Sequence, residues 1–287
     1  MDLPANVRRL HQQIAPCTLC PRRCSVDRAA GQVGACRIGA EPVVASAGPH
    51  FGEEPVLVGR GGSGTIFLSG CNLDCVFCQN FDISHSTDGR RLSPEEIAAL
   101  ALRLARGGCE NINFVTPTHV AHALAEAIVL ARSAGLAVPI VYNCGGYESV
   151  ETLALLEGLV EIYMPDFKYA DAEAGRKYSG VPDYPAVATV ALAEMYRQTG
   201  PLQTDGRRVA TRGVLVRHLV LPGDLAASRE VIETVARAAP GCALNVMAQY
   251  RPCFRAEEYP ELCHRPSSGE IRSLQELADA RGVQRPE

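Results

Sequence analysis

The sequence predicts an α/β fold, a partial (β/α)6 barrel of the TIM type preceded by a small cysteine-rich segment. From residue 64 onward, six short apolar stretches alternate with six stretches of helical periodicity. This alternation is typical of parallel strands that helices cover on both faces. Four cysteines crowd into residues 16–40, before the alternation begins. We therefore expect two units, residues 1–62 and 63–287, within a length that suits one barrel and a small extra segment.

The composition narrows the class of protein. The 287 residues are 47% hydrophobic and carry a net charge of −4, so a large core is available and no strong field attracts nucleic acid. No apolar run reaches the roughly 18 residues of a membrane span, and residues 1–15 lack the apolar stretch of a signal peptide. We expect a cytoplasmic protein, in which twelve cysteines indicate metal or redox chemistry rather than disulfides.

The first unit carries four thiols at close spacing, Cys17, Cys20, Cys24 and Cys36. Four thiolates in this order suit either tetrahedral zinc or a [4Fe–4S] cluster, and the spacing does not choose between them. Reduced free thiols are the alternative. Residues 41–62 predict a connector with one or two strands, which ends in a glycine-rich turn.

The first predicted barrel strand runs into Cys71, Cys75 and Cys78, spaced C-x3-C-x2-C. Three thiols can bind one iron–sulfur cluster from a single loop and leave one iron without a protein ligand. A closed zinc site needs a fourth ligand at short spacing, whereas the next cysteine, Cys109, lies beyond a predicted helix. An open iron on a reduced cluster can bind a small molecule and pass it an electron. A zinc knuckle or three core cysteines are the alternatives.

The remaining elements follow in order. Ser93-Pro94-Glu95-Glu96 supplies an N-cap, a proline at the first helical position and a capping-box glutamate. The predicted strands span 64–70, 111–115, 138–142, 160–164, 214–221 and 243–248, and the predicted helices span 93–107, 120–134, 149–157, 184–199, 226–238 and 268–281. The segment 169–182 predicts either a substrate lid or a solvated loop.

Barrel enzymes gather their chemistry at the carboxyl ends of the strands. Period two places Met164, Asp166 and Lys168 on one face at the end of the fourth strand. Charges at a barrel mouth are costly unless they serve a ligand or each other, so a structural ion pair is the alternative. His119 after the second strand is either catalytic or a helix cap.

The cysteines outside the two groups receive separate predictions. We expect Cys109, Cys242 and Cys263 to be buried thiols. Cys144 and Cys253 lie at predicted strand ends, where either side chain can face a substrate.

With Phe77 at the aromatic position of C-x3-C-x-aromatic-C, the sequence resembles the radical S-adenosylmethionine (SAM) enzymes. Its strand ends, over about residues 60–255, resemble the pyruvate formate-lyase activating enzyme subfamily, particularly its uncharacterised homologues. The resemblance implies a [4Fe–4S] cluster on Cys71, Cys75 and Cys78 and reductive cleavage of SAM to a 5′-deoxyadenosyl radical, which abstracts hydrogen from the substrate. It also implies an external one-electron reductant, a flavodoxin or ferredoxin.

The resemblance assigns residues to the site. It implies that Asp166 and Lys168 are catalytic and that the following residues contact SAM: Phe77, Asn80, Thr116, Asn143, Asp166, Lys168 and Arg217. The sequence departs from the family in two places, since Thr116-Pro117-Thr118 replaces a Gly-Gly-Glu that holds the SAM amino group and Tyr250 replaces a histidine.

The substrate class stays open. The resemblance implies either a glycyl-radical enzyme, activated by abstraction from a glycine, or a peptide, an RNA or a small molecule. The rival functions are an iron–sulfur electron carrier that uses both cysteine groups and a zinc-stapled binding module, in which arginines near the N-terminal thiols touch phosphates. These basic residues lack interleaved aromatics, which argues against nucleic-acid binding.

Overall fold

A computed structural model of the protein describes residues 3–286. The strands of this part of the chain are β1 (Val43–His50), β2 (Ser63–Leu68), β3 (Arg90–Arg91), β4 (Asn111–Val115), β5 (Ile140–Cys144), β6 (Ile162–Pro165), β7 (Gln203–Thr204), β8 (Ala210–Leu219) and β9 (Ala243–Met247). The helices are α1 (Ala5–Gln12), α2 (Pro55–Val58), α3 (Phe81–Ser84), α4 (Pro94–Arg106), α5 (Ala121–Ser133), α6 (Val150–Leu155), α7 (Ala172–Ser179), α8 (Tyr184–Thr199), α9 (Ser228–Ala238) and α10 (Ser268–Ala280).

Six of the strands form a continuous parallel sheet in the order β2-β4-β5-β6-β8-β9. Every residue of β4 and β5 is buried, because helices cover the outer face and the strands enclose the inner one. Among residues 3–286, β9 and β2 do not pair, so the barrel stays open along one side. The predicted partial (β/α)6 barrel is confirmed.

Antiparallel strands extend the parallel sheet at its edges. The connector supplies β1, which pairs with β2, and β3 pairs with β1 in turn. β7 pairs with the first part of β8, before β9 pairs with the later part of the same strand. The prediction of a strand within the connector is therefore confirmed, whereas the division of the chain at residue 62 stays a prediction.

The helix termini follow the local sequence signals. The Ser93 side chain accepts from the Glu96 N–H, and the Glu96 carboxylate accepts from the Ser93 N–H, so α4 begins with the predicted capping box. The bounds of α8 agree with the prediction at both ends. None of the helices in the described part of the chain is both long and apolar enough to cross a membrane.

Several strand bounds differ from the predictions, most of them by one or two residues. β5 begins and ends two residues later than expected, so Asn143 and Cys144 lie within the strand. β6 continues to Pro165, and β8 begins at Ala210, four residues early. The apolar run at 138–142 predicts a strand that ends before the polar Asn143. In the structure Asn143 lies within β5, and its side chain points into the barrel, where it contacts Arg217.

The core has two parts. A large cluster fills the space between the sheet and the helices. A small one lies inside the barrel and consists of Val56, Leu57, Val141, Ile162, Met164, Ala210, Leu215 and Ala243. Val56 and Leu57 belong to α2, so the connector helps to fill the barrel. Since these apolar side chains occupy the lower interior, polar side chains remain at the carboxyl ends of the strands, where a ligand can meet them.

Candidate active site

The loop after β2 holds three thiols, and each sulfur has a polar group beside it. The Leu73 N–H donates to the Cys71 Sγ at 3.4 Å. The Cys75 Sγ lies 3.0 Å from the Ser179 hydroxyl, and the Cys78 Sγ lies 3.1 Å from the Ser84 hydroxyl. Donors directed at sulfur support metal-bound thiolates and tune the metal, so the loop is equipped to hold a metal centre.

The donors fit a cluster better than a single ion. Burial, followed by the neighbouring Cys75 thiol, raises the pKa of Cys71, and burial likewise raises the pKa of Cys75. Within residues 3–286, no three cysteine, histidine or carboxylate side chains converge closely enough to hold one metal ion. A four-iron cluster is larger than an ion and takes one thiolate at each of three corners. Thiols with raised pKa values must release their protons when they bind metal.

A cavity of about 240 Å³ adjoins the cysteine loop. Its lining combines the loop with the carboxyl ends of three strands: Cys75, Phe77, Cys78, Gln79, Asn80, Asp166, Lys168, Arg217, Leu219, Met247 and Gln249. A larger groove of about 360 Å³ lies between β1 and α4, and its lining contains no cysteine. At this cavity the cysteine loop and the strand ends can therefore contact the same ligand.

Three charged side chains form a compact group in the cavity wall. The Lys168 Nζ donates to the Asp166 Oδ2 at 2.7 Å, and the Arg217 Nη2 lies 2.8 Å from the Asp166 Oδ1. The three side chains are only 18–21% exposed. Burial alone would raise the pKa of Asp166, but Arg217 and then Lys168 lower it to about 2. Asp166 is consequently ionised and fixes two cations beside the cysteine loop.

A second layer of polar groups supports Arg217 from inside the barrel. Arg217 Nη2 donates to the Asn143 Oδ1 at 2.8 Å, and Asn143 Nδ2 donates to the Glu53 Oε1 at 3.4 Å. Glu54 accepts from Asn245 at 2.9 and 3.0 Å. Neither glutamate was predicted as a site residue, because both belong to the connector and no local pattern indicates their distant partners.

Comparison with known proteins decides the family. The sequence model described as the radical SAM superfamily matches residues 65–234. The chain belongs to the radical SAM superfamily. Members of this superfamily use a [4Fe–4S] cluster and SAM, and they generally need an external electron donor. The cysteine loop and the cavity beside it provide the donor types that these groups require.

Two uncharacterized proteins are similar to this chain in sequence. An uncharacterized protein of Methanocaldococcus jannaschii is 33% identical over 274 residues, which are 92% of this chain and 74% of that protein. A second uncharacterized protein of the same organism is 25% identical over 62% of this chain and 56% of its own length.

Two solved structures share the fold. Methylornithine synthase (PylB) has a TM-score of 0.52 and 17% identity, with 76% of this chain and 63% of that chain covered. HydG, a maturase of the [FeFe]-hydrogenase, has a TM-score of 0.50 and 12% identity, with 76% and 49% covered. This chain therefore spans less than two thirds of either enzyme, and the similarity concerns the radical SAM fold alone.

Only some of the predicted site residues line the cavity in the structure. Phe77, Asn80, Asp166, Lys168 and Arg217 line the cavity. Thr116 and Asn143 do not line it, although Asn143 contacts Arg217 from behind. The roles of all these residues in binding SAM stay predictions.

Three expectations about this radical SAM barrel were wrong in part. His119 neither caps a helix nor lines the cavity: its buried Nε2 lies 2.9 Å from the Ser69 carbonyl oxygen, and burial, then Arg28, lowers its pKa to about 3. Cys144 is buried on the helix side of β5 rather than facing a substrate. Cys263 is exposed, whereas Cys109 and Cys242 are buried as expected.

The segment 169–182 is neither a lid nor a solvated loop. It contains α7, and its end packs on the cysteine loop, where the Asp74 and Val76 N–H groups donate to the Ser179 and Tyr178 carbonyls. Ser179 also provides the hydroxyl beside the Cys75 sulfur. This segment therefore packs against the cysteine loop and holds its backbone and the Cys75 sulfur in place.

Tyr184, at the start of α8, ties two strand ends together. Its buried hydroxyl lies 2.9 Å from the carbonyl oxygens of both Gly145 and Asp166 and accepts from the Lys168 N–H at 2.9 Å. The hydroxyl thus fixes the backbone at Gly145, Asp166 and Lys168. No sequence pattern predicted this contact, because α8 begins sixteen residues after Lys168.

Gly146→Ala is expected to disrupt this junction. Gly146 has φ +79°, and a Cβ there would lie 2.1 Å from the Asp166 carbonyl oxygen. The strained backbone alone costs roughly 1–3 kcal/mol, and the clash adds to it, so urea unfolding should show a loss above that range. Gly158→Ala is the matched control, since its φ is +81° but nothing lies within 4 Å of its Cβ. Equal losses in the two variants would contradict the proposed clash.

Glu148 lies in a buried polar group behind β5. Its carboxylate accepts from the Thr118 hydroxyl at 2.6 Å and from the Tyr142 hydroxyl at 3.2 Å. Burial raises its pKa to about 7, although these two hydroxyls and the Cys144 thiol oppose the rise. Because the folded-state pKa lies above the ordinary value, the folded protein holds this proton more tightly than the unfolded chain does.

Glu148→Gln is therefore expected to flatten the pH dependence of stability. In the wild type the protonated Glu148 carboxyl group should contribute its full stabilisation below about pH 4.3. About 3 kcal/mol of the unfolding free energy should then be lost as the pH rises to about 7. The glutamine keeps an acceptor for the hydroxyls and cannot ionise. Urea unfolding at about pH 5 and about pH 8 measures the difference, and parallel profiles for variant and wild type would contradict the shifted pKa.

Proposed function

We propose that this protein is a radical SAM enzyme that cleaves SAM reductively and abstracts hydrogen from a substrate bound at the barrel mouth. Cys71, Cys75 and Cys78 hold the cluster, and SAM occupies the adjoining cavity. The observation that carries the proposal is that one cavity is lined both by Cys75 and Cys78 and by the Asp166–Lys168–Arg217 group. A simple electron carrier needs no such ligand cavity beside its cluster.

The chain's own residues bind and orient the ligands. Lys168 and Arg217 are the cations available to a carboxylate, and charge-assisted hydrogen bonds of this kind are the strong ones. Asp166 holds both cations in place, while Leu219 and Met247 line the cavity with apolar surface that limits access of water. The bound cluster and SAM supply the radical chemistry, and the protein supplies binding, orientation and electrostatics.

Phe77 sets the position of the cysteine loop. It is buried and packs edge-to-face on Tyr169 and Tyr250, with ring centroids 6.3 and 6.0 Å away. Tyr250, which replaces the family's histidine, donates its hydroxyl to the Leu262 carbonyl. Its hydroxyl is therefore engaged in the fold, and we assign Tyr250 a packing role.

The finer assignment is an activating-enzyme-like radical SAM protein. It is supported by the segment Met164-Pro165-Asp166-Phe167-Lys168 and by Arg217, which meet in the structure as a salt-bridged group. We propose Asp166 and Lys168 as catalytic residues and, with Phe77, Asn80, Thr116, Asn143 and Arg217, as the residues that position SAM. The proposed reductant is a flavodoxin or ferredoxin, and the proposed hydrogen donor is a glycine of a protein, a peptide, an RNA or a small molecule.

Lys168→Ala is expected to weaken SAM binding while leaving the fold intact. Asp166 keeps its pair with Arg217 in this variant, so no carboxylate is left buried alone. Loss of a charge-assisted hydrogen bond worth about 1.5–3 kcal/mol lowers affinity roughly ten- to a hundredfold. SAM titration of the cluster-loaded variant, with a melting curve, measures both effects. If the variant binds SAM with wild-type affinity but melts at a lower temperature, Lys168 serves only as the structural partner of Asp166, and its proposed role in SAM binding is contradicted.

The test of the proposed function identifies the hydrogen donor. Reduced protein and SAM are incubated with protein, RNA and metabolite fractions from cells grown in deuterated medium. The fraction that contains the substrate should place deuterium in 5′-deoxyadenosine. Protein with alanine at the three barrel cysteines is the control and should yield no labelled product. If SAM is cleaved but 5′-deoxyadenosine acquires no deuterium from any fraction, the proposed hydrogen abstraction is contradicted.

A further inference from the structure

The four N-terminal thiols belong to one small segment whose turns contact one another. Cys17, Cys20 and Cys36 are buried, whereas Cys24 is partly exposed. The Ser25 N–H, next to Cys24, donates to the Cys17 carbonyl oxygen at 3.0 Å, and the Arg23 N–H donates to the Cys20 carbonyl oxygen at 3.0 Å. The Ala35 N–H donates to the Cys24 Sγ at 3.4 Å. Since Ala35 precedes Cys36, these contacts hold together the turns that carry the four cysteines, and they direct a donor at the most exposed of the four sulfurs.

This segment needs no metal staple to be held in place. Its apolar residues Val7, Leu10, Leu19 and Ile38 are fully buried in the same core cluster as the barrel helices. Helix α1 packs on α5 and α6. Small metal-binding units need the metal for folding because they lack such a core. Stabilisation of this segment therefore does not explain why it carries four thiols.

The segment contacts the radical SAM loop directly. A Cβ on Gly70, the residue before Cys71, would lie 2.5 Å from the Cys36 carbonyl oxygen. The Arg22 Nε donates to the Asn72 carbonyl at 2.8 Å, so the contact extends past Cys71. Since consecutive Cα atoms are about 3.8 Å apart, Cys71 lies one residue from the point where the two cysteine sites touch.

A buried cation forms a second bridge between the two sites. Arg28 is 1% exposed, and its Nη1 lies 3.8 Å from the Cys17 Sγ and 2.7 Å from the His119 carbonyl oxygen. The His119 ring in turn contacts the Ser69 carbonyl at 2.9 Å. A guanidinium beside the thiolates offsets the negative charge that a reduced metal centre accumulates.

We propose that Cys17, Cys20, Cys24 and Cys36 bind a second [4Fe–4S] cluster, which accepts one electron from a low-potential flavodoxin or ferredoxin and passes it to the barrel cluster. The donor is oxidised by one electron, the N-terminal cluster is reduced and reoxidised, and the barrel cluster ends reduced by one electron. Electrons enter at the partly exposed Cys24 and leave through the contact between Cys36 and Gly70. Zinc has no redox chemistry and cannot perform this step. The relay rests on the proposed function, whereas the second cluster does not.

Metal analysis tests the second cluster without activity. Anaerobically purified wild type should contain about eight iron atoms per chain, and protein with alanine at Cys71, Cys75 and Cys78 should keep about four. The second protein leaves the N-terminal segment intact, so folding of that segment is not at issue. Zinc in place of the remaining iron, or no remaining metal, overturns the proposal.

Reduction kinetics test the relay in the absence of SAM and substrate. Cys24→Ser should slow reduction of the barrel cluster by reduced flavodoxin about tenfold or more, because the N-terminal cluster loses the thiolate at its exposed corner, while reduction by dithionite changes little. Cys263→Ser, at the exposed thiol outside both groups, is the matched control. Electron paramagnetic resonance of the reduced wild type should show two mutually coupled spins. An unchanged flavodoxin rate overturns the relay. Loss of barrel iron in the wild type would instead overturn the proposed function.

Discussion

Alanine at Cys71, Cys75 and Cys78 together is expected to abolish reductive cleavage of SAM. The loop after β2 supplies these three thiols, each with an N–H or hydroxyl beside its sulfur, and Cys75 and Cys78 line the cavity. Without them no cluster has corners to bind. The variant should lose about four iron atoms per chain, and 5′-deoxyadenosine should fall below detection.

The control for this variant must separate loss of the cluster from loss of the fold. Cys263→Ala removes an exposed thiol and should retain iron and cleavage. Melting curves of both proteins report folding. Cleavage of SAM by the triple variant would show that the cluster lies elsewhere, and the Asp166–Lys168–Arg217 cavity would then lose its assignment.

Asp166→Asn is expected to have the largest effect on stability at the site. The carboxylate binds Lys168 and Arg217 at once, and its neutral replacement leaves two largely buried cations without an ionised partner. Breaking a buried pair costs about 3–5 kcal/mol, and the side chains' partial exposure places this case at the lower end. Cluster content should persist, because Asp166 is no cluster ligand, whereas SAM binding should weaken as the two cations lose their positions.

The pH dependence identifies the cause of the Asp166→Asn loss. The pKa of Asp166 is lowered to about 2, so its contribution is fully present above its ordinary pKa of about 3.9 and is lost as the pH falls toward 2. The stability gap between variant and wild type should therefore narrow over that interval. Glu173→Gln, in an exposed pair with Arg176, is the matched control and should change stability little. A gap that is constant with pH would point to packing rather than charge.

Local sequence patterns predicted the parts of the molecule that depend on neighbouring residues. The spacing of Cys71, Cys75 and Cys78 predicted that one loop carries all three thiols, and Ser93 with Glu96 predicted the start of α4. Period two placed Asp166 and Lys168 on one face, where they form a salt bridge. Each of these features lies within a few residues of chain, so geometry and sequence spacing are tightly linked.

The features that were missed depend on contacts between distant segments. Glu53 reaches Asn143 across 90 residues, and Glu148, Tyr184 and Arg28 likewise make their decisive contacts with remote partners. Whether a buried carboxylate meets hydroxyls or a cation is set by packing, which periodicity does not reveal. The bounds of β5 failed for a related reason, since a polar residue that points into a barrel resembles the end of a strand.

The most direct test of the account is reductive cleavage of SAM by the wild-type protein itself. Anaerobically purified protein with a reconstituted cluster is mixed with SAM and dithionite, and methionine and 5′-deoxyadenosine are quantified over time. We expect both products in equal amounts, dependent on the reductant and absent in the protein with alanine at Cys71, Cys75 and Cys78. A fully loaded and reducible cluster that leaves SAM intact would contradict the central claim.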